Sequence, residues 1–135
     1  MLRVDADEQV RALLLEAFES ARNGDAARLT ELLDLGVTVN LTNDRGDTLL
    51  ILSAYHRQPG AVALLLERGA DVDRVNDNGQ TALGAAAFRQ DGDVVKALLG
   101  AGADPDIGAR SARVVAQFFG LDAITALLPP PAVTS

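Results

Sequence analysis

The sequence repeats itself with a period of 33, and this period restricts the possible folds more than any other feature. Eight of the identities at that spacing define the register of the repeat. They are Gly46, Thr48, Leu50, Ala54, Gly69, Ala70, Asp71 and Asp73, which return as Gly79, Thr81, Leu83, Ala87, Gly102, Ala103, Asp104 and Asp106. A shorter offset of 29 places Gly108 under Gly79. The chain therefore divides into four units, at about residues 7–40, 41–73, 74–106 and 107–128.

Each unit has the pattern of two short helices. The predicted helices are Asp7–Arg22, Asp25–Leu35, Thr48–His56, Pro59–Arg68, Thr81–Arg89, Asp93–Leu99, Ser111–Phe118 and Asp122–Leu128. Residues that favour helix ends lie at the expected places. Helix starts are indicated by the N-cap types Asp25, Thr48, Thr81 and Asp122 and by Pro59 in a first turn. Helix stops are indicated by Gly36, Gly69 and Gly102. A helix pair of this kind buries its apolar face only against the next pair. The sequence thus predicts an all-α repeat solenoid, with residues 1–128 as one domain and 129–135 as a flexible, Pro-rich tail.

The repeated motifs resemble those of ankyrin repeat proteins. The family signature Thr-Pro-Leu-His-x-Ala, followed by a Leu-rich helix and Gly-Ala-Asp-Val-Asn, is matched by NDRGDTLLILSA with LLLERGADVD and by NDNGQTALGAAA with ALLGAGADPD. The resemblance covers about Asp7 to Leu128, and GVTVNLTNDRGDTLL and GADPDIGARSA are similar to small bacterial members. It implies helix-turn-helix units joined by β-hairpin or finger loops, and a binding role without catalysis. The Pro and His of the family are replaced by Leu49 and Ile51, then by Ala82 and Gly84.

The segment DVDRVNDNGQTAL at residues 71–83 looks like a calcium loop but fails the ligand pattern. With Gly79 at the sixth loop position, Arg74 falls at the first and Ala85 at the twelfth. A cation and a methyl group cannot complete a cage of oxygen ligands. We therefore interpret Asp71 and Asp73 as turn residues that cap or brace the loop.

Charge and composition limit the partners. The chain carries 12 Lys and Arg against 19 Asp and Glu, a net charge of −7, which argues against nucleic acid because affinity there depends on neutralising phosphates. There is no basic amphipathic helix for a membrane surface, no Cys for a disulfide partner, and the opening segment MLRVDADEQVRALLLEAF lacks the basic start of a signal peptide. A cytoplasmic location is expected.

Catalytic candidates are few. His56 is the only histidine, and Ser53 lies on the same predicted helix without the strained turn that presents a nucleophile. One histidine without cysteines does not make a zinc site, and GAGADP at residues 100–105 lacks the Lys of a phosphate loop. We expect no enzyme activity, no cofactor and no metal.

The resemblance also implies where a partner would bind, namely on the loops between successive units, called fingers here, and on the exposed side of the first helix of each unit. At the fingers these places are Asp44, Arg45, Asp47, Asp77, Asn78 and Gln80, and at the helices they are Arg22, Asn23, Tyr55, His56, Phe88, Arg89, Gln117 and Phe118. Aromatic and arginine side chains dominate interface energies, so the rings at these places favour a binding groove. The alternative is that the rings fill the gaps left by the missing Pro and His. For Phe118 an inward orientation in the shortened last unit is equally open.

Three functions remain open. The leading hypothesis is a protein-binding scaffold. In it, Tyr55, His56, Phe88 and Arg89 contact an unknown protein, and the acidic fingers favour a partner with a basic edge. The second is a structural or regulatory subunit that self-associates or docks through Val114, Val115, Phe118 and Phe119, so the chain is expected to be a monomer or a weak homo-oligomer. The third is a small-molecule or metal site around His56. A histidine in an interface would also make binding dependent on pH.

Overall fold

The computed structural model describes residues 5–132, and these residues form eight helices and no extended strand. The helices are α1 (Ala6–Asn23), α2 (Ala26–Asp34), α3 (Leu49–Tyr55), α4 (Pro59–Glu67), α5 (Ala82–Phe88), α6 (Gly92–Gly100), α7 (Ala112–Phe118) and α8 (Asp122–Thr125). The predicted finger loops are turns, with one isolated antiparallel bridge between Thr42 and Thr48.

The helices stack as four successive pairs. The first helices α1, α3, α5 and α7 pack side by side in that order, and the second helices α2, α4, α6 and α8 form a parallel row. Ala85, Ala86 and Ala87 are fully buried on α5, where small side chains let α3 and α7 approach on both sides. Leucines such as Leu50 and Leu83 fill the space between the rows. The predicted all-α solenoid is confirmed.

Most of the predicted helix ends are confirmed. Asp25, Thr48 and Thr81 each accept a backbone N–H of the first turn, and Pro59 is the first residue of α4. The prediction for Asp122 as an N-cap is wrong, because the residue before α8 is Leu121 and no side chain caps this helix. The helix itself ends at Thr125 instead of Leu128.

One backbone position takes a left-handed conformation in all four pairs. It is occupied by Gly24, Arg57, Gln90 and Gly120. Each of these residues turns the chain from the first helix of a pair into the second. Because a Cβ atom disfavours this region, Arg57 and Gln90 hold strained backbones where the outer pairs have glycine.

The last pair follows a different register from the one predicted. Gly108 does share the left-handed turn of Gly79, at the predicted offset of 29. The helices, however, are offset by 30, because the N-cap Ser111 replaces Thr81 and α7 ends at Phe118 where α5 ends at Phe88. An extra residue therefore lies between the turn and the helix. As a result Phe119, and not Phe118, occupies the position of Arg89.

The two chain ends are described only in part. Residues 129–132 continue beyond α8 without a helix, and the carbonyl of Pro129 accepts a hydrogen bond from Arg113 Nη2 at 2.7 Å. The predicted tail extends to residue 135, and its residues 133–135, like residues 1–4 of the predicted domain, lie outside the described residues. Over residues 5–132, no helix combines the length and the apolar character needed to cross a bilayer.

Candidate functional site

A groove of about 990 Å³ runs along one face of the solenoid. Side chains from all four first helices and from the fingers between them form its walls. The lining residues are Leu15, Phe18, Arg22, Asn43, Asp44, Arg45, Asp47, Ile51, Leu52, Tyr55, His56, Asn76, Asn78, Gln80, Phe88, Arg110, Val114, Val115, Phe118 and Phe119. The groove therefore extends along the repeat direction instead of lying within a single unit.

An asparagine side chain holds each of the two middle fingers in shape. Asn76 Oδ1 accepts the N–H groups of Asn78 at 3.0 Å and Gln80 at 2.9 Å, and its Nδ2 donates to Asp47 Oδ1 at 2.7 Å. Asn43 accepts the N–H groups of the preceding finger in the same way, from Arg45 and Asp47 at 3.0 Å each. These are side-chain turns that replace a backbone turn. Asp47 is thus part of the bracing between two fingers.

Backbone hydrogen bonds join one finger to the next. The N–H of Asp77 donates to the carbonyl of Arg45 at 3.0 Å, and the N–H of Arg110 donates to the carbonyl of Gly79 at 2.9 Å. Gly108 lies so close to Gly79 that an added Cβ would come within 2.3 Å of the Gly79 carbonyl oxygen. The fingers therefore present their side chains on a continuous, hydrogen-bonded edge.

Four aromatic rings form a row along the groove. Tyr55 and Phe88 stack with 6.3 Å between ring centroids and 10° between ring planes. Phe88 meets the edge of Phe119 at 5.8 Å, and Phe119 meets the edge of Phe118 at 4.9 Å. Tyr55 is half-buried, whereas Phe88, Phe119 and Phe118 are 42%, 53% and 79% exposed. Phe118 thus points outward, which answers the question left open by the sequence.

Two further groups surround Tyr55. His56 meets the tyrosine ring edge-on at 5.2 Å, and the guanidinium carbon of Arg89 lies 5.2 Å from the ring centroid, within the range of a cation–π contact. Burial, together with the positive charges of Arg22 and Arg89, holds the pKa of His56 below its usual range.

The structure brings most of the predicted site residues to this groove. Those that line it are Asp44, Arg45, Asp47, Tyr55, His56, Asn78, Gln80, Phe88 and Phe118. Arg89 lies beside the groove through its contact with Tyr55, and Asp77 is exposed outside the lining. Whether these residues bind a partner remains a prediction.

Several lining residues were missed from the sequence. Arg110 was not predicted, and Phe119 was predicted only at the apolar docking surface of the last unit. Both follow from the true helix offset of the last pair, which the glycine-based offset concealed. Leu15 and Phe18 come from α1, where no preceding unit marks which side of the helix faces the groove. Val115, expected at an apolar docking surface, is 6% exposed and belongs mainly to the core.

The groups considered for catalysis and metal binding have other partners. Ser53 is fully buried, and its hydroxyl donates to the carbonyl of Leu49 at 2.8 Å instead of approaching His56. Among residues 5–132, no three His, Asp or Glu side chains are grouped as metal ligands. The acids of the calcium-like loop brace the backbone, since Asp71 Oδ1 accepts the N–H of Asp73 and Asp73 Oδ1 accepts the N–H of Asp104.

With this geometry established, comparison with known proteins identifies the class. Residues 17–109 match the ankyrin repeat family as three repeat copies, and the chain belongs to that family. Ankyrin repeats are generally modules for protein–protein interaction. The α7–α8 pair lies beyond the matched segment.

A protein of Pseudomonas aeruginosa named for its ankyrin repeats, PA3287, is similar to part of the chain. The two are 37% identical over 62 residues, which is 46% of this chain and 36% of the relative. The matched segment thus spans about a third of the relative's length.

Proposed function

We propose that the chain is a non-catalytic scaffold that receives a partner protein in the groove. The observation that carries the proposal is the row of four contacting rings, of which Phe88, Phe119 and Phe118 keep large exposed fractions. Aromatic anchors at the centre of a concave surface supply most of the energy in many interfaces. Exposed apolar patches of this kind commonly mark interaction sites.

The shape of the groove supports a protein partner over a compact ligand. Its lining runs from Leu15 on α1 to Phe118 on α7, across every first helix. A partner that contacts all four helices must itself be extended or broad. The finger hydrogen bonds hold the edge of the groove in place before binding, which lowers the entropy lost on association.

The alternative role of the rings as gap fillers accounts for only one of them. Tyr55 is half-buried between His56 and Phe88, as a ring replacing the missing family residues would be. Phe118 is 79% exposed and fills no gap. The exposure therefore increases along the row toward α7, which favours a surface used by another molecule.

The test is a capture experiment from a lysate of the source organism, with the natural protein and a Tyr55→Ala, Phe88→Ala, Arg89→Glu variant as baits. We expect a protein that the natural chain retains and the variant loses. The same capture should identify the partner by mass spectrometry. Helical circular dichroism and a thermal melt verify that the variant is folded before it is used.

A matched control variant changes equivalent groups outside the groove. Val10→Ala, Leu35→Ala and Arg11→Glu remove two exposed apolar side chains and reverse one exposed arginine, and none of these residues lines the groove. This control should retain the partner. Equal retention by both variants would contradict the proposal and move the site to another surface.

A second candidate function is self-association or docking through the last pair. Val114, Phe119 and Phe118 are 49%, 53% and 79% exposed and lie close together, which favours an apolar contact. Light scattering over a range of concentrations tests this function. A dimer that Phe118→Ser abolishes would support it, whereas a monomer at high concentration, unchanged by that substitution, would count against it.

A further inference from the structure

The arginines that form ion pairs all lie outside the groove, although Arg11, also outside it, has no acidic partner among residues 5–132. The arginines that form ion pairs within residues 5–132 are Arg28, Arg57, Arg68, Arg74 and Arg113. None of these five lines the groove. Their partners include Glu16, Asp34 and Asp106, which are also absent from the groove lining.

The arginines of the groove are the opposite case. Arg22, Arg45 and Arg110 line it, and none of them forms an ion pair with an acid in the part of the chain that the structure describes. Arg89, beside the groove, contacts the Tyr55 ring and likewise has no acidic partner among residues 5–132.

Two acids oppose the three arginines within the groove. Asp44 and Asp47 are the acidic residues in its lining, and no glutamate is present there. Asp47 Oδ1 already accepts a hydrogen bond from Asn76 Nδ2 at 2.7 Å, which orients it toward the finger. The lining therefore has three arginines against two aspartates, an excess of one positive charge on a protein with a net charge of −7, and Arg89 and Asp77 beside the groove offset each other.

His56 lies close enough to two of these arginines to be affected by their charge. Arg22 on α1 and Arg89 after α5 both oppose protonation of the imidazole, in addition to its burial. The pKa of His56 is lowered first by burial of the ring and then by these two positive charges. The two arginines thus act from both neighbouring helices on one point in the groove.

We propose that the groove takes an acidic peptide segment of its partner, whose carboxylates pair with Arg22, Arg45 and Arg110 while a bulky apolar side chain packs on the row of rings. This inference rests on the proposed function and names the partner's chemistry. It reverses the expectation of a basic partner, because the arginines of the groove outnumber its acids. Arginine also suits the role, since its planar fork binds carboxylates with two hydrogen bonds.

A peptide fits better than a polyanion. Single-stranded nucleic acid also pairs phosphates with arginine and stacks bases on aromatic rings. The acids outside the groove repel a run of phosphates that extends past its edges, because the phosphates there come within the Debye length of about 8 Å at physiological salt. A short acidic segment, seated entirely within the groove, avoids most of that repulsion.

The test uses a random peptide library displayed on phage, panned against the natural protein. Enriched peptides are then synthesised with a fluorescent label, and their affinities are measured by anisotropy at low and high salt. We expect sequences with a net negative charge and at least one Phe, Trp, Tyr or Leu. Reversing charges with Arg45→Glu and Arg110→Glu should weaken their binding about tenfold or more, with a smaller loss at high salt.

The matched control reverses Arg11→Glu and Lys96→Glu, which are exposed, lie outside the groove and change the net charge by the same amount. Its affinity should stay close to that of the natural protein. An equal loss in both double variants would trace the effect to overall charge and overturn the inference. A labelled single-stranded oligonucleotide that binds more tightly than the peptides would also overturn it.

The remaining outcomes separate the inference from the function on which it rests. Peptides that are basic or uncharged, yet lost on Tyr55→Ala with Phe88→Ala, contradict the acidic segment and leave the groove as a protein-binding site. Peptides that bind every variant equally, or a library with no enrichment, contradict both. A dimer of the natural protein that Arg45→Glu and Arg110→Glu dissolve would assign the groove to a second copy of the chain instead.

Discussion

Tyr55 and Phe88 stack nearly parallel, with 6.3 Å between their ring centroids, although they lie one full repeat apart in the chain. Both are the last residue of a first helix, α3 for Tyr55 and α5 for Phe88. The repeat brings equivalent positions of neighbouring helices together, so these two rings meet, and Phe119 continues the row from Phe88 into the last pair. Phe118 is the equivalent residue of α7.

The contact between Tyr55 and Phe88 should be measurable as a coupling energy. In a double-mutant cycle with Tyr55→Leu and Phe88→Leu, we expect the two losses in free energy of unfolding to be non-additive by about 0.5 to 1.5 kcal/mol. Urea unfolding provides the four values. The control cycle pairs Tyr55→Leu with Phe118→Leu, since the Phe118 ring contacts Phe119, and it should be additive. Additivity in the first cycle would mean that the stack contributes nothing beyond burial.

The left-handed backbone at Gln90 predicts a stabilising substitution. Gln90 has φ 56°, and the equivalent residues in the outer pairs are Gly24 and Gly120. Gln90→Gly should raise the free energy of unfolding by about 0.5 to 1 kcal/mol, because relief of strain exceeds the entropy gained by the unfolded chain. Gln90→Val should lower it, since a branched side chain tolerates this region least. A lower urea midpoint for the glycine variant would refute the argument from strain.

Gly84 has a different requirement, which is space. A Cβ at this position would lie 2.7 Å from the carbonyl oxygen of Arg110, whereas one at Gly100 would meet nothing within 4 Å. Gly84→Ala should therefore cost about 1 to 3 kcal/mol of stability by forcing the last finger away from α5. Gly100→Ala should be neutral or stabilising by up to about 1 kcal/mol. Equal effects of the two substitutions would show that the close approach at Gly84 is unimportant.

His56 allows a direct test of the local charge, because it is the only histidine and its NMR signals need no assignment. We expect its pKa to lie below the ordinary value of 6.5. Arg22→Gln and Arg89→Gln should each raise it, since each removes a positive charge, and Arg11→Gln should leave it unchanged. A pKa above 6.5, or one insensitive to both substitutions, would contradict the positive groove.

The same pKa fixes the direction of one contribution to stability. A histidine whose folded pKa is depressed binds fewer protons in the folded than in the unfolded chain. Its contribution is therefore present above the unfolded value of 6.5 and is lost as the pH falls through the folded value. His56→Gln should flatten this part of the stability profile. Thermal melts of both proteins across that pH range provide the comparison.

The repeated segments of the sequence predicted most of the fold. Thr48 and Thr81 recur at the repeat period and begin equivalent helices, which gave both the class of fold and the helix ends within about a turn. The last pair was less predictable, because Gly108 keeps the turn of Gly79 while an added residue before Ser111 shifts the helix. A match between glycines could not reveal an insertion that follows them.

The site was predictable in outline only. Tyr55 and Phe88 could be placed by register, whereas the exposure of Phe118 depends on where the extra residue falls in space. The pairing of arginines could not be read from the sequence at all. Arg57 and Asp91, for example, meet across the α3–α4 and α5–α6 pairs at 3.7 Å, while Arg45 remains unpaired among residues 5–132.

The contacts between neighbouring fingers make the second unit a module that can be duplicated. Asn40 Oδ1 accepts the N–H of Asp71 at 2.8 Å, and Asp73 Oδ1 accepts the N–H of Asp104 at 2.9 Å. The same hydrogen bond therefore joins one unit to the next at two successive places, one repeat apart. A second copy of residues 41–73, inserted after residue 73, would offer the same hydrogen bonds to backbone N–H groups on both sides, with a second α3 in place of the Ala-rich α5 as the neighbour of the first. The lengthened protein would carry one more tyrosine in its row of rings. The reach of the groove would thus be set by the number of copies, and a longer partner segment could be accommodated by gene duplication alone.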